Sequence, residues 1–315
     1  MSDQFNFKVD IERGFESPQK FIPSKYFYDA AGDRIFQQIM ELPEYYLTRS
    51  EAEIFDKKGA SIVDALPFNE AFEVVELGAG DGSKTKTLLQ EMLRREMDFV
   101  YRPMDISRDV LGQLKAHMLE DLPTLTIDVL AGDYFHILPS LKVDPHPKLF
   151  LFLGSNIGNF QPAEAEAFIQ MIANSMNSGD LLLVGMDLQK NPALIEQAYN
   201  DKAGVTADFN LNLLKRMNRE LGANFNLDAF EFYSHYDPVR GFVNSYLVSL
   251  EKQIVYFSAM DKSFLFRKNE LIHTELSRKF SGEQIDRLAF RTGFYVRKEF
   301  KDEKEYFVDS LWEKV

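Results

Sequence analysis

At 315 residues the chain can bury a sizeable core and hold one large domain or two. A net charge of −13 with no basic run argues against a sequence-independent grip on nucleic acid, and the absence of cysteine excludes disulfides, thiolate zinc sites and a cysteine nucleophile. Apolar residues at 45%, among them 28 Phe, with 13 Tyr, are too many for a disordered chain.

From the N-terminus, residues 1–30 read as an irregular aromatic arm that ends in Phe21-Ile22-Pro23-Ser24-Lys25-Tyr26-Phe27-Tyr28-Asp29. Polar residues and mixed charge at the start leave no apolar signal region, and no run approaches the ~18 residues of a membrane span. The expectation is a cytoplasmic soluble protein, a monomer, with neither nucleic acid nor membrane as partner. Ile35, Phe36, Ile39 and Met40 then mark a short amphipathic helix, and Thr48 with Glu51 reads as the capping box of another. The tyrosines of Leu42-Pro43-Glu44-Tyr45-Tyr46 suit packing, or the lining of a pocket.

The central stretch is Phe72-Glu73-Val74-Val75-Glu76-Leu77-Gly78-Ala79-Gly80-Asp81-Gly82-Ser83-Lys84-Thr85, an apolar run that breaks into three alternating glycines and restarts as a helix. Glycine serves where the backbone takes positive φ or lies against a ligand, and free N–H groups at the following helix terminus favour negative charge. A dinucleotide fingerprint requires G-x-G-x-x-G, whereas the spacing at Gly78, Gly80 and Gly82, with Glu76 two residues earlier, resembles motif I of class I S-adenosylmethionine-dependent methyltransferases.

Strand and helix patterns alternate from 72 to about 188, as in a parallel α/β sheet. Residues 98–105 form a second strand ending at Asp105, 125–134 a third ending near Asp133, 148–154 a fourth that is almost wholly apolar, and 180–187 a fifth. Helices are expected at 107–119 and 162–177. Ligands of such sheets bind beyond the carboxyl strand ends, so Glu76, Asp105 and Asp133 can converge on one crevice. An acid after the second strand suits ribose hydroxyls, and one after the third suits an adenine amine.

The rhythm breaks at 189–278, where helical patterns through 191–219 give way to alternating strands near 241–250, 253–258 and 270–277. On the last of these, Glu275 and Ser277 are two residues apart and share a face. Ser281 and Gln284 cap a later helix, and 294–299 with 305–312 read as a closing hairpin. The five histidines (His117, His136, His146, His235, His273) have no metal-ligand spacing, so no metal is expected.

With these motifs in view, the chain resembles the histidine Nα-methyltransferase family of ergothioneine biosynthesis. The resemblance is carried by SKYFYDAAGDRIF (24–36), LPEYYLTRSEAEI (42–54), VVELGAGDGSKT (74–85), FLGSNIGNF (152–160), AYNDKAGVTADFN (198–210), NRELGANFNLDAFEF (218–232) and HTELSRKF (273–280). It implies an α/β fold: a class I methyltransferase Rossmann-like sheet over 53–188 and 279–315, with an α+β substrate-recognition domain built from 1–52 and the insertion 189–278. S-adenosyl-L-methionine is the implied cofactor, with Gly78 and Lys84 at its methionine part, Asp105 on the ribose, and Asp133 with Tyr134 on the adenine. For a small amino-acid substrate, the resemblance puts Asn159 and Tyr199 on the carboxylate, Tyr28 by the α-amino group, Phe36 close to the methyl-transfer line, and Tyr45, Glu275 and Ser277 around the imidazole. Tyr28 and Asn159 are thereby the catalytic candidates. One departure is Ser245, which stands by gap-free alignment where the family's histidine enzymes are expected to carry methionine. The implied activity is Nα-methylation of L-histidine, up to trimethylation (hercynine). Methylation of another aromatic amino acid or a modified histidine, and a non-catalytic cofactor sensor, are the alternatives.

Overall fold

A computed structural model describes residues 2–142 and 144–315; Met1 and Val143, which fall within ranges read above, lie outside it. The chain divides into two compact units, one made of residues up to Tyr46 with Lys190–Ser277, the other of Leu47–Gln189 with Arg278–Val315. The breaks fall at 46/47, 189/190 and 277/278, so residues 47–52 go with the sheet unit rather than with the arm.

The chain opens with α1 (Ser2–Glu16), which corrects the expectation of an irregular arm over 1–30. Phe7, Ile11 and Phe15 recur every four residues and are 2% exposed or less, a stripe obscured by the charged residues between them. Phe15 meets Phe225, Phe257, Phe264 and Phe266 edge-on, with ring centroids 5.3–6.3 Å apart. A 3₁₀ turn at Ser24–Phe27 leads to α2 (Ala30–Glu41), whose N-cap Asp29 accepts the Gly32 N–H at 2.7 Å.

Next comes α3 (Tyr46–Asp64). The helix is already running at Thr48, so Thr48 and Glu51 form no capping box, and Glu51 turns to other partners described below. The sheet unit continues through β1 (Phe72–Leu77), α4 (Ser83–Arg94), β2 (Phe99–Asp105), α5 (Arg108–Asp121), β3 (Leu130–Ala131), α6 (Tyr134–Leu141), β4 (Lys148–Phe152), α7 (Pro162–Asn174) and β5 (Leu181–Asp187). The third strand is far shorter than expected, and Tyr134 opens a helix rather than ending a strand. Pro139 inside α6 disguises that helix in the sequence.

The insertion comprises α8 (Pro192–Tyr199), α9 (Val205–Leu221), β6 (Phe230–Asp237), β7 (Phe242–Ser249), β8 (Gln253–Phe257), β9 (Lys262–Phe266) and β10 (Leu271–Arg278). Among the described residues, β10, β7 and β6 make one sheet in that order, and β8 pairs antiparallel with β9. Strand β6 escaped sequence reading because Tyr233 and Ser234 break the alternation of Phe230, Phe232 and Tyr236, and β6 is an edge strand. The arm joins this sheet: the Ile22 N–H donates to the His273 carbonyl at 2.8 Å, and the His273 N–H to Lys20 at 2.9 Å.

α10 (Gly282–Arg291) starts at the expected Ser281/Gln284 capping box, and β11 (Phe294–Lys301) with β12 (Phe307–Lys314) forms the expected hairpin. The large sheet runs β11-β12-β5-β4-β1-β2-β3, parallel from β5 to β3 and antiparallel at β12. Strands β1, β4 and β5 are buried throughout, and alternate residues feed two cores: Val74, Leu149 and Leu183 on one face, Val75, Phe150 and Val184 on the other. The chain goes from β1 outward to β2 and β3, then returns to β4 on the other side of β1. That reversal opens a crevice at the carboxyl ends of β1 and β4.

Exit and return of the insertion are pinned together in the sheet unit. The Phe280 N–H donates to the Asp187 carbonyl and the Gln189 N–H to Phe280, at 2.8 and 2.9 Å. Lys279 Nζ lies 2.8 Å from Asp187 Oδ2, both side chains fully buried.

Candidate functional site

In the sheet unit, Gly78, Gly80 and Gly82 all take positive φ, at 68°, 56° and 71°, which turns the chain sharply off β1 into α4. A Cβ on Gly78 would stand 2.9 Å from the Tyr134 hydroxyl, so that glycine is needed for Tyr134 to reach the loop. A Cβ on Gly80 would meet nothing within 4 Å, which leaves its backbone open to a ligand.

Tyr134 brings the expected acids into one neighbourhood. Burial, followed by the charges of Asp105, Asp133 and Glu76, pushes its phenol well above the ordinary range, so it stays a neutral hydroxyl. Asp105 ends β2, and its Oδ1 accepts the Ser107 N–H at 2.9 Å, leaving Oδ2 without a protein partner among the described residues. Asp133 is exposed at the start of α6, where its carbonyl accepts the His136 and Ile137 N–H groups. Gly78, Asp105, Asp133 and Tyr134 thus gather at the carboxyl end of the sheet. A nucleoside fits this chemistry: an acid with a free oxygen for hydroxyls, a second acid for an amine, and an open glycine backbone.

Glu76 is placed differently from the expectation that it faces the crevice. It is 4% exposed, with Oε1 accepting from Thr85 Oγ1 at 2.5 Å and Oε2 accepting from the Tyr101 hydroxyl. Burial pushes its carboxyl up to about 7 despite these two bonds. It clamps β1, β2 and the start of α4 from below the loop. Lys84 Nζ lies 2.7 Å from Glu51 Oε2, a partner that sequence reading missed. Asn159 ends a 3₁₀ turn (Asn156–Asn159) after β4, exposed to solvent. Gly154 and Ser155 start that loop in the left-handed region, and Ser155 Oγ accepts the Asp187 N–H at 3.0 Å.

In the other unit, the rings form a continuous series. Tyr28 lies edge-on to Phe36 at 5.7 Å, Phe36 to Tyr45 at 6.3 Å, and Tyr45 to Tyr199 at 6.3 Å. The series ends on a hydrogen bond of 2.8 Å between the Tyr199 and Ser277 hydroxyls. Nearly half of Tyr28 is exposed, and burial of the rest, then the charges of Glu275 and Asp33, push its phenol well above the ordinary range. Glu275 lies on β10 two residues before Ser277, on the same face of the strand.

Phe209 on α9, which sequence reading did not single out, is a buried ring stacked on Phe27 that also packs against this series. It lies 6.0 Å from Tyr28 and 5.8 Å from Phe36, and the only signal was its place within the 198–210 motif. Asp29 ties this arm to α9, with Asn212 Nδ2 at 2.9 Å from Oδ1 and Arg219 Nη2 at 2.5 Å from Oδ2. Ser245 is buried on β7 opposite Ser234 of β6. Among the described residues there is no cluster of groups able to hold a metal ion, and no helix is long and apolar enough to cross a membrane.

Among known proteins, several relatives are similar to this chain over most of its length. A histidine N-alpha-methyltransferase of Mycolicibacterium smegmatis is 38% identical over 278 residues, covering 88% of this chain and 85% of the relative. One of Mycobacterium tuberculosis is 34% identical over 302 residues, covering 96% of this chain and 93% of the relative. Ergothioneine biosynthesis protein 1 of Schizosaccharomyces pombe is 30% identical over 281 residues, which are 87% of this chain and 36% of that longer protein. The profile of the histidine-specific, S-adenosylmethionine-dependent methyltransferases matches residues 7–314, and the chain belongs to that family.

Proposed function

We propose that the protein methylates the α-amino nitrogen of L-histidine, successively, up to the trimethylated betaine hercynine. The observation that carries this reading is the ring series Tyr28, Phe36, Tyr45 and Tyr199, ending on the Ser277 hydroxyl, with Glu275 two residues from Ser277 on β10. Such a lining offers hydroxyls and one carboxylate to a small polar ring, and aromatic faces to a cation.

S-adenosylmethionine, when bound, supplies a methyl group on a sulfonium; the new N–C bond forms as S–C breaks, S-adenosylhomocysteine leaves, and each transfer releases one proton. The residues that would hold it are Gly78 and Lys84 at the amino-acid end, Asp105 at the ribose, and Asp133 with Tyr134 at the base. On the acceptor, Tyr199 binds the carboxylate. Glu275 accepts the imidazole N–H, with Ser277 and Tyr45 completing the contacts.

The amine must lose its proton before it can react. Tyr28 stays neutral at physiological pH, so it serves as a lone-pair acceptor or holds a water that takes the proton, and not as a phenolate base. Positioning does the remaining work. As methyl groups accumulate the amine becomes a bulkier cation, which Tyr28, Phe36, Tyr45 and Phe209 favour by about 0.5–2 kcal/mol of cation–π attraction.

Mass spectrometry after incubation with histidine and S-adenosylmethionine tests the reading, with trimethylated histidine as the expected product. Unchanged histidine alongside methylated tryptophan or tyrosine would move the assignment to another aromatic amino acid, a reading favoured by the small buried Ser245. Cofactor binding with no methyl transfer to any amino acid would make the protein a sensor.

A further inference from the structure

Lys84 is held by a buried partner. Glu51 is 1% exposed; one carboxylate oxygen lies 2.7 Å from Lys84 Nζ and the other accepts the Gly154 N–H at 2.5 Å. One carboxylate from α3 thus ties the start of α4 to the second residue beyond β4, the two sides of the crevice. Strand β5 is shaped to admit it: a Cβ on Gly185 would stand 2.5 Å from Glu51 Oε1 and 3.2 Å from Asp309 Oδ1. Gly185 has ordinary extended backbone, so this contact explains the missing side chain.

Asp309 lies across from Gly185 on β12, fully buried, and neither of its oxygens has a hydrogen-bond partner among the described residues. Burial, then the Glu51 charge, push its carboxyl well above the ordinary range, against the pull of the Lys84 charge. The Lys84 ammonium has three donors, of which Glu51 takes one, and 31% of the side chain is exposed. It can still meet an incoming anion.

We propose that Glu51 is a positioning residue for the cofactor, holding the Lys84 ammonium beside Gly154 and the glycine loop so that the amino-acid carboxylate of the ligand meets a cation already in place. This rests on the assignment of the crevice to S-adenosylmethionine. Without Glu51 the ammonium has lost its buried counter-charge, and its flexible stem takes it to water.

Calorimetry with two ligands tests the role on the full chain. S-adenosylhomocysteine carries the amino-acid part, and methylthioadenosine shares its nucleoside and thioether but lacks the carboxylate. Glu51→Gln, which can still accept the Gly154 N–H, is expected to weaken S-adenosylhomocysteine about tenfold and to leave methylthioadenosine within about twofold, with Lys84→Met showing the same split. Equal weakening of both ligands, no change in either, or tighter S-adenosylhomocysteine binding would overturn the proposal, the last by showing Glu51 to be a competitor for Lys84. If the unaltered protein bound neither nucleoside, the cofactor assignment itself would fall. Should Glu51→Gln not fold, Gly185→Ala, which presses on the same Glu51 oxygen, is read with the same two ligands and the same criteria.

Discussion

Replacing Glu76 by Gln should remove a charge that the fold holds at a cost. The carboxyl is buried, bonded to Thr85 and Tyr101, and pushed by burial from an ordinary 4.5 up to about 7. At 1.36 kcal/mol for each tenfold change in proton affinity, this gap amounts to about 3 kcal/mol. Below about pH 4.5 both folded and unfolded chains carry the proton and the group is neutral in its effect. Between there and about pH 7 the unfolded chain releases the proton while the folded chain keeps it, so stability falls as pH rises, and above about pH 7 the whole penalty is in place. A glutamine amide can accept from one hydroxyl and donate to the oxygen of the other, so both bonds survive. Trp312, the chain's one tryptophan, is fully buried on β12 in the same unit and reports unfolding there. Urea unfolding followed by its fluorescence should show the stability difference between Glu76→Gln and the parent widening in favour of the variant by about 2–3 kcal/mol from about pH 5 to about pH 8. A difference that stays constant with pH would refute the reasoning, since it would mean that Glu76 titrates alike in both states.

Three further outcomes follow from the site and its supports. Asp105→Ala removes a charged acceptor of ribose hydroxyls and should weaken S-adenosylhomocysteine by about 1.5–3 kcal/mol in calorimetry, with the melting curve reporting the separate loss of the Ser107 contact. Tyr199→Phe deletes the hydroxyl that pairs with Ser277 and should raise KM for histidine more than it lowers kcat, about 0.5–1.5 kcal/mol in kcat/KM, as read from initial rates. Lys279→Met leaves the fully buried Asp187 carboxylate without its cation and should cost about 3–5 kcal/mol in the Trp312 unfolding transition, while adding Asp187→Leu should restore part of it.

Much of the sheet unit was readable because its signals are local. Strands β1, β4 and β5 are buried on both faces and show as apolar runs, and a loop with three positive-φ residues shows as three glycines. Acids at strand ends were also legible, since Asp105 and Asp133 fall beyond apolar stretches. Misreadings came where a local rule had two outcomes. Thr48 and Glu51 have the spacing of a cap, yet the helix had already begun and Glu51 was recruited by Lys84 and Gly154. The apolar stripe of α1 is only three residues wide, and its burial depends on aromatic rings more than 200 positions away, which no window along the chain contains.

What the sequence by itself determined is the run of strands β1 to β5, the glycine loop and the family, because these depend on periodicity, backbone freedom and motifs read along one stretch. Only the tertiary structure decided how those residues are used. It turned Glu76 from a crevice acid into a buried clamp, gave Lys84 an anionic partner from α3, and required Gly185 to be bare so that two carboxyl groups could lie against β5. The physical reason is that charge and burial are properties of neighbourhoods. Glu51, Lys84, Gly185 and Asp309 come from four elements and Gly154 from the loop after β4, and their pairing exists only once the sheet has brought them together.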